Sequence, residues 1–219
     1  MIHKQALQFL QQLSKNNNKS WFDDHRDQYI DAKENFIQFA TILLQELSKM
    51  DTSLAELNAR KCIFRINRDV RFSKNKEPYK TNFGAFFTPQ GKSAVKAGYY
   101  FHLEPGASFL AAGLYMPLPE HLNKVRQEID YCYNDFKKII TSAPFKKSFG
   151  TLDMEQSLVR PPKGYDEDNP AINYIKLKSF TCTKSLSDKD VLATDLIKKS
   201  MIDYKIVSPF VKFINQALD

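Results

Sequence analysis

Between Arg60 and Lys80 the chain carries eight basic residues (Arg60, Lys61, Arg65, Arg68, Arg71, Lys74, Lys76 and Lys80) against two acids, Asp69 and Glu77, a local balance of 8 − 2 = +6. The whole chain of 219 residues carries 32 − 25 = +7, so the rest of it is close to neutral. Guanidinium groups grip phosphate or carboxylate oxygens in pairs, whereas lysines act as mobile point charges. The stretch "IFRINRDVRFSKNKEPYK" therefore suits an anionic ligand: a nucleotide, a phosphorylated metabolite or a nucleic-acid backbone. Arg65, Arg68, Arg71, Lys74, Lys76 and Lys80 are the binding candidates, with Tyr79 as a stacking or hydrogen-bonding edge. If the segment is one extended strand, Arg65 and Arg71 lie roughly 20 Å apart. That is too far for one phosphate unless a turn near Arg68 and Asp69 folds the strand back. The same residues also fit a structural ion-pair network of Arg65, Asp69 and Arg71, with the lysines as solvated loop charges.

Three groups can move protons. Asp69 lies within the basic segment, and His102 stands two residues before Glu104 in "YYFHLEP". In a strand that spacing puts His102, Glu104 and Tyr100 on one face, and an unperturbed imidazole titrates near pH 6.5. A strand-end histidine bonded to a neighbour is the plainer reading of the same pattern. A second basic stretch, "VRPPKGYDEDNP", offers Arg160, Lys163 and Tyr165 on a loop stiffened by two prolines, either to cover an anion or as an ordered connection. Four histidines and three cysteines show no metal-ligand spacing, and no P-loop, dinucleotide fingerprint or nucleophile elbow occurs. No metal and no cofactor is expected.

The elements that must hold these groups follow from periodicity. Leu7, Phe9, Leu10 and Leu13 give a helical stripe ended by "NNN" at 16–18, and Ser20 stands where it can cap a second helix. From Tyr29 through Phe36, Phe39, Leu43 and Leu47 the pattern predicts a long helix to about Met50, with room for a break. "CIFRINRDVRF" alternates, which predicts a strand whose apolar face is Cys62, Phe64, Ile66, Val70 and Phe72, interrupted by Arg68. "NFGAFFT", "AGYYFHLE" and "SFLAAGLYM" read as further strands, close enough in sequence for an antiparallel meander. Pro119 opens a helical stretch, "IKLKSFTCTKSL" offers one more strand, and "SDKD" at Ser187 starts a helical C-terminus. The expected fold class is α+β: one domain over residues 1–219, a mostly antiparallel sheet packed by N- and C-terminal helices.

Apolar residues make up 42% and aromatic residues 13%, which suits a core rather than disorder. Cys62, Cys132 and Cys182 lie far apart and form no disulfide framework, so free thiols in a cytoplasmic protein are expected. The first residues lack the pattern of a secretory signal, no apolar run reaches about 18 residues, and no membrane partner is expected. The nucleic-acid alternative rests on the basic patch and on nearby Phe83, Phe86, Phe87, Tyr99, Tyr100 and Phe101. Those aromatics also alternate as core residues do, and no single-strand-binding or helix-turn-helix signature accompanies them.

Several stretches together resemble one family. They are "NNNKSWFDDHRDQY" at 16–29, "FRINRDVRFSKNKEPYKTNFGAFF" at 64–87, "GYYFHLEP" at 98–105, "VRPPKGY" at 159–165 and "KLKSF" at 176–180. The set is similar to the bacterial and fungal family known as domain of unknown function 2461, over nearly the whole chain. The resemblance implies no activity. Its motif stretches hold the basic residues already singled out, together with Arg26, His102 and Lys178, and this adds weight to a binding site. The leading expectation is a phosphate- or carboxylate-bearing ligand held around residues 65–80, with an enzyme on an anionic substrate as one form of it and nucleic-acid binding as the alternative.

Overall fold

The computed structural model describes residues 1–89, 91 and 95–219. Ten α-helices are described: α1 (Lys4–Lys15), α2 (Lys19–Asp24), α3 (Arg26–Met50), α4 (Ala59–Cys62), α5 (Pro119–Tyr131), α6 (Tyr133–Thr141), α7 (Ala143–Phe149), α8 (Ile172–Ile175), α9 (Asp188–Val191) and α10 (Leu196–Gln216). Four strands, β1 (Phe83–Phe87), β2 (Gly98–Leu103), β3 (Ser108–Leu114) and β4 (Phe180–Leu186), form one antiparallel sheet in the order β1-β2-β3-β4. This is the α+β class, a meander packed by terminal helices, that the periodicities predict. Among the described residues no helix is long and apolar enough to cross a membrane.

By compactness the chain divides into two units, one of Met1–Lys92, Tyr100–Leu110 and Ser185–Met201, the other of Ser93–Tyr99, Ala111–Lys184 and Ile202–Asp219. In the first unit α1 lays its buried Leu7, Phe9, Leu10 and Leu13 toward α3. The α2 helix begins earlier than Ser20 suggests: Asn18 is its cap, its side-chain oxygen accepting from the Trp21 N–H at 3.0 Å. The break before the long helix falls at His25. Phe36 and Phe39 of α3 then meet Phe83 of β1 and Phe101 of β2, with ring centroids 5.4 Å apart for Phe36–Phe83 and 4.5 Å for Phe39–Phe101.

The expected strand over 62–72 is not one. Cys62 ends α4, and the following residues make only isolated bridges, Ile63 to Ala85 and Asn67 to Tyr79. The chain instead folds back: Arg68 N–H donates to the Pro78 carbonyl at 2.9 Å, and Lys80 N–H to the Ile66 carbonyl at 2.8 Å. The cause is local. Asp69 takes the Arg71 N–H on its own side chain at 3.3 Å, which offers the backbone an alternative to a ladder. The alternation fails accordingly, for Ile63 is buried while Phe64 and Phe72 are exposed.

In the second unit Phe136 packs against Tyr174, Phe210 and Phe213, and Tyr99 meets Tyr204 edge-on at 5.4 Å. Buried Arg126 is structural, since its guanidinium donates to the carbonyls of Ile175 (2.7 Å) and Leu177 (3.1 Å). Buried Asp203 is matched by Lys184 at 2.7 and 2.8 Å and by the Ser148 hydroxyl. Strand β3 passes so close to β4 that a Cβ at Gly113 would lie 2.0 Å from the Phe180 carbonyl oxygen, and Gly113 sits at φ 126°. Gly113→Ala is expected to cost at least ~1–3 kcal/mol from backbone strain alone. A lowered urea midpoint at unchanged slope checks this; an unshifted midpoint contradicts it.

Candidate functional site

Strand β2 sorts its side chains by parity. Tyr99, Phe101 and Leu103 are each 0% exposed, so their alternates Tyr100 and His102, with Glu104 just beyond, stand together on the other face. There they form a continuous hydrogen-bonded series. The Tyr100 hydroxyl lies 2.9 Å from His102 Nδ1, and His102 Nε2 lies 2.9 Å from Glu104 Oε2. The Thr81 hydroxyl donates to Glu104 Oε1 at 2.6 Å, and Asn82 Nδ2 reaches His102 Nδ1 at 3.4 Å.

These partners assign the imidazole's proton. Two groups that can donate, the phenol and the Asn82 amide, converge on Nδ1, and a carboxylate faces Nε2. The consistent arrangement keeps the proton on Nε2, donated to Glu104, and leaves the Nδ1 lone pair to accept. Phe109 stacks on the imidazole at 4.4 Å and tilts against Tyr100 at 5.7 Å, so the pair rests on an aromatic wall. Gly84 of β1 completes the mould. A Cβ there would lie 2.4 Å from the Tyr100 hydroxyl oxygen, so only a bare backbone leaves the phenol its place.

Burial lowers the His102 pKa from its ordinary 6.5, and Glu104 pulls it back up in part. Burial, reinforced by the charge of Glu104, pushes the Tyr100 phenol up to about 12. At neutral pH both are uncharged. With side chains 13% and 30% exposed, His102 and Glu104 remain within reach of solvent.

The basic segment is divided between bracing and exposed charge. Arg68 donates to the Glu77 carbonyl at 3.0 Å and to the Ser73 hydroxyl at 3.4 Å, and lies 3.7 Å from the Glu77 carboxylate. Lys76 donates to the Val70 carbonyl at 3.1 Å, which closes the loop from the other side. Arg71 is paired with Asp69 through two bonds of 2.9 and 2.7 Å. Those bonds, and then the Arg65 charge, hold the Asp69 carboxyl below its usual range, so Asp69 is a fixed anion rather than a base poised near neutrality.

Tyr79 is buried, its ring stacked on Phe22 at 4.0 Å. The Asn17 side chain pins its backbone in both directions, at 2.9 and 3.1 Å. Tyr79 anchors the segment to the core. Arg65 and Lys74 are exposed and have no side-chain hydrogen bond or ion pair among the described residues. Lys80 holds its ammonium 5.4 Å from the centre of the Phe64 ring, which meets Tyr100 edge-on at 6.2 Å. The segment thus ends beside the Tyr100–His102–Glu104 series. Arg160 and Lys163 are exposed on a loop of the second unit, where Tyr165 N–H closes a turn on the Pro162 carbonyl at 3.2 Å. Of the aromatics that suggested a nucleic-acid platform, Phe83, Phe87, Tyr99 and Phe101 are core.

Thr81, Asn82, Gly84 and Phe109 are contributors that sequence spacing does not single out. Their only sequence signal is position, at the start of β1 or within β3, and it becomes informative once the register of those strands with β2 is known.

The family model described as "Conserved hypothetical protein (DUF2461)" matches residues 5–213. The chain belongs to this family. No curated protein and no solved structure matches it. The DUF2461 description names no reaction, so the chemistry of this DUF2461 member has to be argued from its own side chains.

The His102 environment has a measurable consequence. A base whose pKa is lowered by folding binds its proton more readily when unfolded. Its contribution to stability is complete above about pH 6.5 and is lost as pH falls through the folded value. The melting temperature is expected to decline on acidification from about pH 6.5, and His102→Gln is expected to flatten that limb. An identical acid limb in the variant assigns the decline to other groups.

Proposed function

We propose that this protein binds a phosphate- or carboxylate-bearing ligand at its basic segment, with His102 placed to exchange a proton with it. One observation carries the reading: the hydrogen bond from Thr81 to Glu104, which ties the end of the basic segment, at Lys80, to the Glu104–His102–Tyr100 series. Arg65, Lys74 and Lys80 supply positive charge, Lys80 with its ammonium 5.4 Å from the centre of the Phe64 ring. His102 Nδ1 accepts from the Tyr100 hydroxyl at neutral pH, so a proton from the ligand reaches the imidazole by way of that hydroxyl, and Glu104 stands behind Nε2 to support the imidazolium that forms. Arg68, Arg71 and Lys76 support the site by shaping the loop that carries the charges. On this reading an activity, where one exists, is proton transfer within hydrolysis or group transfer on an anionic substrate. Cys62, Cys132 and Cys182 are not joined in disulfides, which supports a cytoplasmic setting.

Melting temperature against a panel of inorganic phosphate, nucleotides, sugar phosphates and dicarboxylates tests the reading. A ligand at about 100 times its dissociation constant stabilises the folded state by roughly 2.7 kcal/mol, which for a chain of this size is a shift of about 5–10 °C. One anion class is expected to give such a shift, Lys80→Ala and Arg65→Ala to abolish most of it, and His102→Gln to retain it. A panel without any shift removes the proposal.

A further inference from the structure

The loop that follows Arg68 ends in an unusual exposure. Phe72 is 95% exposed, and the Arg71 guanidinium lies 5.7 Å from its ring centre. Eight residues earlier in the segment Phe64 is 36% exposed, with the Lys80 ammonium 5.4 Å from its ring centre. Each aromatic of the segment that reaches solvent is thus paired with its own cation. A phenylalanine left fully in water forgoes the burial that its side chain would otherwise gain, and in this chain most phenylalanines are core. Phe72 is also held out by a braced loop. Arg68 reaches the Glu77 carbonyl and the Ser73 hydroxyl, Lys76 reaches the Val70 carbonyl, and Asn75 bonds Glu77 through its side-chain amide (2.9 Å) and its carbonyl oxygen (2.8 Å).

A flat apolar face flanked by cations matches a nucleobase joined to its phosphate. The ring offers stacking, which does not depend on base identity, and the neighbouring charges meet the backbone. Two such platforms on one segment of net charge 8 − 2 = +6 suit successive nucleotides better than an isolated anion. A duplex keeps its base faces stacked inside and cannot use them. A bilayer surface would draw on a cluster of apolar side chains, whereas along the chain Phe72 is preceded by Val70 and Arg71 and followed by Ser73, Lys74, Asn75 and Lys76. We infer that the phosphate-bearing ligand of the basic segment is single-stranded nucleic acid, with bases stacking on Phe72 and Phe64 and phosphates meeting Arg65, Lys74 and Lys80. This rests on the anion-binding reading above and names its ligand class.

Fluorescence anisotropy of the full chain with labelled dT15, U15 and a DNA hairpin duplex, at 50 and 200 mM salt, tests it. Both single strands are expected to bind more tightly than the duplex. With three phosphates neutralised, affinity is expected to fall about 20-fold across that salt range. Phe72→Ala is expected to weaken dT15 binding about 10-fold, as loss of one stacked base does, without moving the melting temperature. Phe72→Trp is expected to keep binding and to add a fluorophore that the base quenches, in a chain with one natural tryptophan. Equal affinity for strand and duplex, or no effect of Phe72→Ala, overturns the inference. Sedimentation with phosphatidylserine/phosphatidylcholine vesicles is the third arm, and vesicle binding lost in Phe72→Ala without oligonucleotide binding overturns it in favour of a lipid surface. If inorganic phosphate or a mononucleotide still raises the melting temperature while oligonucleotides do not bind, this inference falls and the anion site stands. If none of them acts, both fall.

Discussion

The register of strand β2 is the constraint on which the candidate site depends. Tyr99, Phe101 and Leu103 are wholly buried, and a slip of one residue would carry all three to the opposite face. Burial of that set is therefore what orients Tyr100, His102 and Glu104 together. The polar series contributes little to holding itself in place, because its members share a face only while their apolar neighbours stay inside. Chemistry here is positioned by hydrophobic burial one residue away along the chain, and the hydrogen bonds refine a placement already made.

A second economy of design appears in the basic segment. Like charges close in sequence repel, yet eight cations fit between Arg60 and Lys80 because several are neutralised or turned inward. Arg60 meets Glu34 at 2.7 Å, Arg71 meets Asp69, Arg68 spans to Glu77, and Lys76 bonds a backbone carbonyl. These exposed pairs add little to stability individually. Their effect is on shape: they fold a would-be strand into a compact loop. Tyr79, stacked on Phe22 and fixed through its backbone by Asn17, supplies the attachment to the core.

Much of this was legible from periodicity alone. The stripes of α1, α3 and α5, the strands β1 to β4, and the shared face of Tyr100, His102 and Glu104 follow from spacings of 3.6 and 2. What escaped depended on competition between local and long-range bonds. The run 62–72 alternates as a strand should, but Asp69 satisfies the Arg71 N–H locally and the chain folds back on itself, so its pairing stops at isolated bridges to Ala85 and Tyr79. Ser20 reads as a helix cap, yet Asn18 reaches the orphan N–H first. Tyr79 has the composition of a ligand-facing residue within a basic loop, and only the tertiary fold shows that Phe22 covers its ring. Thr81, Asn82 and Gly84 become meaningful when β1 is laid against β2, and pairing register is not written in either strand by itself.

Gly84 illustrates a compromise between foldability and shape. Inside a strand, glycine is a poor choice: it sacrifices chain entropy and brings no side chain to pack against its neighbours. Alanine or valine would suit the sheet better in isolation, and either would intrude on the Tyr100 hydroxyl. Improving β1 as a strand by ordinary stabilising substitutions would thus evict the phenol from its bond to His102. At this position thermal robustness and the architecture of the polar face pull in opposite directions, and the sequence has settled in favour of the face.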